Sequence, residues 1–231
     1  VTAHTDNNTL KGYGIAFTIG KGNDIVADCI KHFFPIFENM SLDDLENEIG
    51  KLWYKCVDHS QLRWLGPEKG VVHMAVAAIF NCLWDLIAKK NKKPLWQYVV
   101  ESEPEKILSW LTFKYIEDVL TPEEALQILK SNQNKKKERM ETILKEGYPS
   151  YTTAAGWLGY SDDKIIELCN RYVAMGWRHF KIKVGLDLEA DVKRLSLIRK
   201  TIGDDCFIMV DANQQWSIEQ SIRHINAYKK F

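Results

Sequence analysis

The sequence lacks an excess of charge of either sign. Its 31 Lys and Arg residues balance 31 Asp and Glu residues. Proteins that bind nucleic acid or an anionic membrane surface through electrostatics normally carry a basic patch. The balance therefore predicts no nucleic-acid partner and no membrane partner.

Cysteine and long apolar runs are also scarce. The five cysteines are far apart and form no C-x-x-C pair, so nothing indicates a zinc site or a disulfide framework. Four of them lie within apolar runs, which is typical of buried free thiols in a reducing, intracellular compartment. No apolar stretch approaches the ~18 residues of a membrane span. The chain begins at Val1 and not at a methionine, so we expect that the natural N-terminus, with any targeting segment, is missing from this sequence. The location therefore stays open between mitochondrial and cytoplasmic.

The first 107 residues predict a small α+β domain. Strands are expected at Val1–His4 and Gly12–Ile19, and three amphipathic helices follow. Ser41 is in position to cap the second helix. The third and longest helix carries a broad apolar stripe from Val71 to Ile87.

Residues 108–150 predict a connector with a helix of its own. Thr121, Pro122 and Glu124 have the order of an N-cap, a first-turn proline and a capping-box acid. The basic run Lys135–Arg139 has acidic residues interleaved, which favours a solvated helix face over a nucleic-acid site.

The segment 151–231 predicts three successive βα units. Strands begin near residues 151, 180 and 207, and a (β/α)8 barrel of about 250 residues allots roughly 31 residues to each unit. A doubly wound open sheet normally carries a G-x-G-x-x-G turn after its first strand, and Ala154–Tyr160 has none. The predicted fold class is therefore α/β: an α+β capping domain (1–107), the connector, and the first three βα units of a (β/α)8 TIM-type barrel (151–231), truncated at Phe231.

The second barrel strand places two lysines on one face. Phe180, Ile182 and Val184 point one way, and Lys181 and Lys183 point the other. A half-exposed strand with solvated lysines would explain this pattern, but a strand between two amphipathic helices in a parallel series is normally buried on both faces. The pattern therefore favours lysines at the carboxyl-terminal mouth of the barrel, where barrel active sites lie.

The third strand ends in polar residues. The apolar run Phe207–Val210 is followed by Asp211 and, two residues later, by Asn213. A carboxylate at this tip suits a hard cation. Asp211 could instead cap the next helix, but Ser217 and Gln220 already form a capping box for it.

These motifs resemble a known family. Lys181-Ile182-Lys183 and Asp211-Ala212-Asn213 are similar to the K-x-K and D-x-N signature of the mandelate racemase branch of the enolase superfamily. Met74–Trp96 is similar to the last helix of that superfamily's capping domain. Gln61–Gly70 and Gly156–Tyr160 resemble the L-fuconate dehydratases within the branch.

The resemblance implies a Mg²⁺-dependent hydro-lyase acting on a small-molecule sugar acid, L-fuconate, with loss of the C2 proton and the 3-hydroxyl. It implies that Lys183 is the base, that Lys181 assists at the substrate carboxylate, that Asp211 is a metal ligand, and that Asn213 is a polar group near the substrate. Two residues of strand separate the lysines by roughly 6.6 Å, so we expect that they do not reach one carbon together. A neighbouring ammonium and the dication should lower the pKa of the base.

Other functions stay open. The remaining metal ligands and the general acid of the family belong to strands after Phe231, so we expect this chain alone to be inactive. A racemase or cycloisomerase would use the same lysines and metal, and a truncated form could serve as a non-catalytic interaction module. A homo-oligomeric full-length protein is compatible with the resemblance.

Overall fold

The structure, a computed structural model, describes residues 1–6, 9–65 and 70–231. The chain forms two compact units, Val1–Glu141 and Thr142–Phe231. The division falls inside the stretch 108–150 that the sequence predicts as a connector. Part of the Gln61–Gly70 motif, residues 66–69, lies outside the described residues.

The first unit combines a two-stranded antiparallel sheet with helices. The strands pair with Ala3 opposite Gly12. Several of its helices pack against the longest one, Val71–Lys90. The elements in chain order are β1 (Thr2–His4), β2 (Lys11–Tyr13), α1 (Asn23–Phe33), α2 (Leu42–Val57), α3 (Val71–Lys90), α4 (Leu95–Glu101), α5 (Pro104–Leu108), α6 (Pro122–Ser131) and α7 (Lys136–Glu146), which continues past Glu141.

Strand β2 is shorter than the predicted strand Gly12–Ile19. Its partner β1 supplies residues back to Val1, whose carbonyl accepts a hydrogen bond from the Gly14 amide at 3.0 Å. Ile15 and Phe17 lie outside this ladder, with 77% and 80% of their surface exposed.

Helix α3 forms the core of the first unit. It packs against α1, α2 and β2, and residues such as Val76, Cys82 and Ile87 are fully buried. An 18-residue window of α3 has a mean hydropathy of 1.8, so this helix is long enough and apolar enough to cross a membrane. The expectation that no apolar stretch approaches a membrane span was therefore wrong. Most of that window, 61%, is buried inside the protein, and a core helix of a water-soluble protein meets the same test.

Predicted helix starts are confirmed in both units. Ser41 Oγ accepts a hydrogen bond from the Asp44 amide, and Thr121 and Glu124 form the reciprocal bonds of a capping box. In the second unit, Ser217 and Gln220 form the same arrangement. The basic run Lys135–Arg139 lies largely on an exposed surface at the start of α7, as the sequence predicts.

The second unit is built on parallel strands. Its elements are α8 (Asp162–Ala174), β3 (His179–Lys183), α9 (Leu188–Ile202), β4 (Phe207–Asp211) and α10 (Ile218–Tyr228). Strands β3 and β4 pair in parallel, with Lys183 opposite Asp211. Phe180, Ile182 and Leu195 are completely buried between the sheet and its helices. Each such side chain contributes roughly 1.5–3 kcal/mol through burial.

The first predicted barrel strand, Tyr151–Gly156, is reduced to a single parallel bridge between Thr152 and Phe180. The Gly156 amide donates to the Thr153 carbonyl at 2.9 Å, and this tight turn interrupts the ladder. The segment nevertheless lies beside β3, because the Lys183 amide donates to the Gly156 carbonyl at 2.8 Å. The segment 151–156, β3 and β4 therefore lie side by side in the order in which they follow one another along the chain.

Candidate active site

Strand β3 presents its lysines on the face opposite the core. Phe180 and Ile182 have no exposed surface, whereas the side chains of Lys181 and Lys183 are 25% and 22% exposed. This confirms the alternation that the sequence predicts. Each lysine can therefore keep its charge in contact with water while its stem covers the sheet.

Both lysines converge on Asp211. Its Oδ2 atom accepts hydrogen bonds from Lys181 Nζ at 2.9 Å and from Lys183 Nζ at 2.8 Å. Lys183 Nζ also donates to Asn213 Oδ1 at 2.7 Å. The roughly 6.6 Å of strand between the two lysines does not keep their ammonium groups from one oxygen, because each has a flexible four-carbon stem. Spacing along the strand therefore does not support the expectation that the two lysines cannot reach one carbon together, which stays a prediction.

The charges at this site stabilise one another. Hydrogen bonds from Lys181 and then Lys183 hold the pKa of Asp211 far below its usual range. In turn, the hydrogen bond to Asp211, and then the one to Tyr151, raises the pKa of Lys181. For Lys181 this is opposite to the direction expected from a neighbouring ammonium. The carboxylate that both lysines share outweighs the repulsion between them.

The turn after β4 holds an uncommon backbone conformation. Asn213 and Gln214 have φ angles of 47° and 58°, in the left-handed region that non-glycine residues rarely adopt. Asp211 Oδ1 accepts a hydrogen bond from the Asn213 amide at 3.0 Å, which holds the turn. Left-handed residues cost roughly 1 kcal/mol each and are often found at functional sites. The turn places the Asn213 amide group beside Lys183.

Two aromatic residues that the sequence argument did not select flank the lysines. Lys181 Nζ lies 5.1 Å from the centre of the Tyr151 ring, and Lys183 Nζ lies 5.9 Å from that of Trp157. Gly156 lets this segment approach β3, because a Cβ atom there would lie 2.0 Å from the Lys181 carbonyl oxygen. The signal in the sequence was Gly156, followed directly by Trp157, at the end of a segment that begins with Tyr151.

The donor atoms suit a hard cation, although they are few. Asp211 and Asn213 supply carboxylate and amide oxygens, the atom type that Mg²⁺ prefers, and Mg²⁺ sites often use only one or two carboxylates together with substrate oxygens and water. Within residues 1–6, 9–65 and 70–231, no cluster of three or more His, Cys, Asp or Glu side chains has metal-binding geometry. Asp211 therefore fits as one ligand of a site completed by other groups.

Comparisons with known proteins give a consistent result. Residues 164–231 match the family described as "Enolase C-terminal domain-like". The chain is 43% identical to mitochondrial enolase superfamily member 1 of Homo sapiens over 232 residues, which cover 100% of this chain and 52% of the human protein. The crystal structure of that protein matches with a TM-score of 0.94 and 42% identity, over 99% of this chain and 52% of that one. L-galactonate dehydratase of Hypocrea jecorina is 44% identical over 223 residues, 95% of this chain and 50% of the relative.

A more distant structure shows the fold alone. L-talarate dehydratase from Polaromonas sp. JS666, complexed with Mg and L-glucarate, matches with a TM-score of 0.64 and 20% identity, over 99% of this chain and 50% of that chain. The chain spans about half the length of the curated relatives it matches. The predicted fold class and the resemblance to the enolase superfamily are both confirmed: the chain belongs to that superfamily, in its mandelate racemase branch.

Proposed function

We propose that the full-length protein carrying this chain is a Mg²⁺-dependent acid-sugar dehydratase, a hydro-lyase that converts a sugar acid into its 2-keto-3-deoxy product. The observation that carries the proposal is the convergence of Lys181, Lys183 and Asn213 around Asp211. The identity of 44% with a protein named L-galactonate dehydratase supports it. L-fuconate is the 6-deoxy form of L-galactonate, so the two acids share the reacting C2 and C3 atoms. We propose L-fuconate as the substrate.

The reaction begins with a proton that is difficult to remove. A hydrogen on the carbon next to a carboxylate is a very weak acid. Asp211 would hold Mg²⁺, which when bound would supply positive charge against the charge that develops on the substrate carboxylate. In its neutral form, Lys183 takes the C2 proton on Nζ. The Lys181 ammonium donates a hydrogen bond to the substrate carboxylate, and Asn213 orients a substrate hydroxyl.

The position of Lys183 supports its role as the base. Its Nζ lies between Asp211 and Asn213, at the tip of the strand. Lys181 Nζ also contacts Asp211, but it lies beside the Tyr151 hydroxyl, 3.5 Å away, and projects from a position two residues earlier on β3. A substrate bound at Asp211 from the mouth therefore meets Lys183 first.

The test uses three variants at the two site lysines and one control variant of the full-length protein, with L-fuconate and L-galactonate as substrates. Lys183→Ala and Lys183→Arg should lower 2-keto acid release by roughly 10²–10⁴-fold and abolish exchange of the C2 hydrogen in D₂O. Arginine keeps the positive charge beside Asp211 but stays protonated at neutral pH, so it separates loss of the base from loss of charge. Lys181→Ala should weaken turnover and leave measurable exchange. Lys193→Ala, whose side chain is 81% exposed, is the control and should behave like the parent.

The outcomes separate the alternatives. If Lys183→Ala still incorporates deuterium at C2 at the parental rate, Lys183 is not the base. If the parent exchanges the C2 hydrogen but releases no keto acid, the racemase or cycloisomerase alternative replaces dehydration. If EDTA leaves the parental turnover unchanged, the requirement for Mg²⁺ is wrong. If the parent neither exchanges nor eliminates, the non-catalytic alternative replaces all of these.

The compartment proposed is intracellular. All five cysteines are free and buried, as expected of a protein in a reducing environment. The human relative carries the word mitochondrial in its name, which favours mitochondria over the cytoplasm. Fractionation of cells that express the full-length protein tests this location.

A further inference from the structure

Arg194 connects the ends of two neighbouring barrel segments. It lies on α9, and its side chain is only 12% exposed. Its Nη2 donates a hydrogen bond to the Lys183 carbonyl oxygen, and its Nη1 donates to the Trp157 carbonyl oxygen at 3.3 Å. Both carbonyls lie at the carboxyl-terminal ends of their segments. The guanidinium of Arg194 therefore donates hydrogen bonds to backbone carbonyls at the ends of both barrel segments.

Asp191 holds this arginine in place. Its Oδ1 lies 3.3 Å from Arg194 Nη2, and its side chain is 3% exposed. Its Oδ2 accepts hydrogen bonds from the Gly185 amide at 2.8 Å and from the Tyr228 hydroxyl at 3.1 Å. A buried carboxylate with this many partners fixes the geometry around it, and removing one member of a buried ion pair leaves the other uncompensated.

We propose that Asp191 and Arg194 are positioning residues of the active site, which hold the end of β3 so that Lys183 points at the substrate. The proposal rests on the proposed function, since it concerns the same lysine. The amides of Lys183 and Val184 donate to the carbonyls of Gly156 and Asp211, but the Lys183 carbonyl relies on Arg194, and the Gly185 amide, two residues on, relies on Asp191. Without this pair the Lys183 carbonyl and the Gly185 amide both lose their hydrogen-bond partners. A misplacement of about 1 Å at a reacting group can cost 10²-fold in rate.

Arg199 provides a matched control on the same helix. It too is an arginine that donates to backbone carbonyls, those of Gly203 at 2.7 Å, Cys206 at 2.6 Å and Phe231 at 2.7 Å. Cys206 directly precedes β4, so these bonds lie at the amino-terminal end of the strand, away from the mouth. Arg199→Ala removes at least as many hydrogen bonds to carbonyls as Arg194→Ala does, but none of them involves Lys183.

The experiment compares Arg194→Ala, Arg194→Lys, Asp191→Asn and Arg199→Ala in the full-length protein with L-fuconate. Arg194→Ala should lower kcat by roughly 10–100-fold, with C2 exchange falling in parallel and KM within about 3-fold of the parent. Amide hydrogen exchange of the peptide covering residues 181–186 should become faster. Lysine can restore one of the two carbonyl bonds, so Arg194→Lys should recover part of kcat. Arg199→Ala should lower the unfolding temperature and leave kcat within about 3-fold.

Each outcome bears on the proposal. Equal losses of kcat in Arg194→Ala and Arg199→Ala at equal losses of stability would show a merely structural role and overturn it. An increase in KM with unchanged kcat would also overturn it. If the parent has no dehydratase activity, the proposed function fails, and amide exchange alone then decides: unchanged exchange at residues 181–186 in Arg194→Ala overturns the positioning role. If Arg194→Ala does not fold, Asp191→Asn, which keeps the shape of the side chain, is judged by the same criteria.

Discussion

Glu46 is the acid on which the packing of four helices in the first unit depends. Its side chain on α2 is only 12% exposed. It accepts hydrogen bonds from Tyr98 Oη at 2.6 Å, Lys90 Nζ at 2.9 Å, Lys106 Nζ at 3.0 Å and Asn91 Nδ2 at 3.3 Å. These partners belong to α3, α4 and α5 or to the residue that ends α3. We expect replacement of Glu46 by Gln to weaken this whole arrangement.

The magnitude follows from the pKa. Burial alone would raise the pKa of Glu46, but the hydrogen bonds from Tyr98, Lys90 and Lys106 outweigh it and lower the pKa from 4.5 to about 2. At 1.36 kcal/mol per pKa unit, the ionised form contributes roughly 3 kcal/mol to the free energy of unfolding at pH 7. Because the folded pKa is the lower one, this contribution is complete above about pH 5 and is lost as the pH falls towards 2. At pH 3 roughly 1.4 kcal/mol is left.

The assay is urea unfolding of the parent and of Glu46→Gln at pH 7 and at pH 3. Fluorescence of Trp84 and Trp110 reports on this region, because the Tyr98 ring lies 6.5 Å and 5.9 Å from theirs. The variant should lose about 3 kcal/mol at pH 7 and about half of that at pH 3. Asp43→Asn is the control, since Asp43 also pairs with Lys90 but its side chain is 83% exposed. An exposed ion pair contributes at most about 1 kcal/mol.

Equal losses at pH 7 and pH 3 would contradict this reasoning. They would mean that Glu46 stabilises through packing or neutral hydrogen bonds, which do not depend on its ionisation. A loss in Asp43→Asn as large as that in Glu46→Gln would show that burial does not distinguish the two acids.

Two further predictions concern the core and the site. Gly156→Ala should lower the free energy of unfolding, measured in urea, by about 3 kcal/mol, because the added Cβ would collide with the backbone of β3. Gly159→Ala is the control: its Cβ would meet no atom within 4 Å, but the φ of 86° disfavours alanine, so the loss should be only about 1 kcal/mol. Burial raises the pKa of Cys56 to about 12 and that of Cys169 to about 11. Iodoacetamide at pH 8 should therefore label these thiols at least 100-fold more slowly in the native protein than in urea, as measured by mass spectrometry, and equal rates would contradict their burial.

The length of a strand could not be predicted where its partner decides it. Alternation alone indicates a strand over Gly12–Ile19, yet only residues opposite β1 pair. In the same way, the apolar residues Tyr151–Gly156 indicate a strand, but a turn at Gly156 leaves one bridge. Helix starts were predictable because a cap and its partner lie within three residues of each other.

The sequence by itself determined the order of the elements and the face of β3 that carries Lys181 and Lys183. It also determined the family, through the motif that contains Asp211 and Asn213. Periodicity, helix caps and short motifs are local properties, so the sequence alone records them. Only the tertiary structure decided that both ammonium groups reach one carboxylate oxygen, that Tyr151 and Trp157 flank them, and that Arg194 supports the strand end. Those relations join residues 26 or more positions apart, as Lys183 and Trp157 are, or join a helix to the strand beside it. They depend on the path of the chain and on flexible side chains, which no local pattern records.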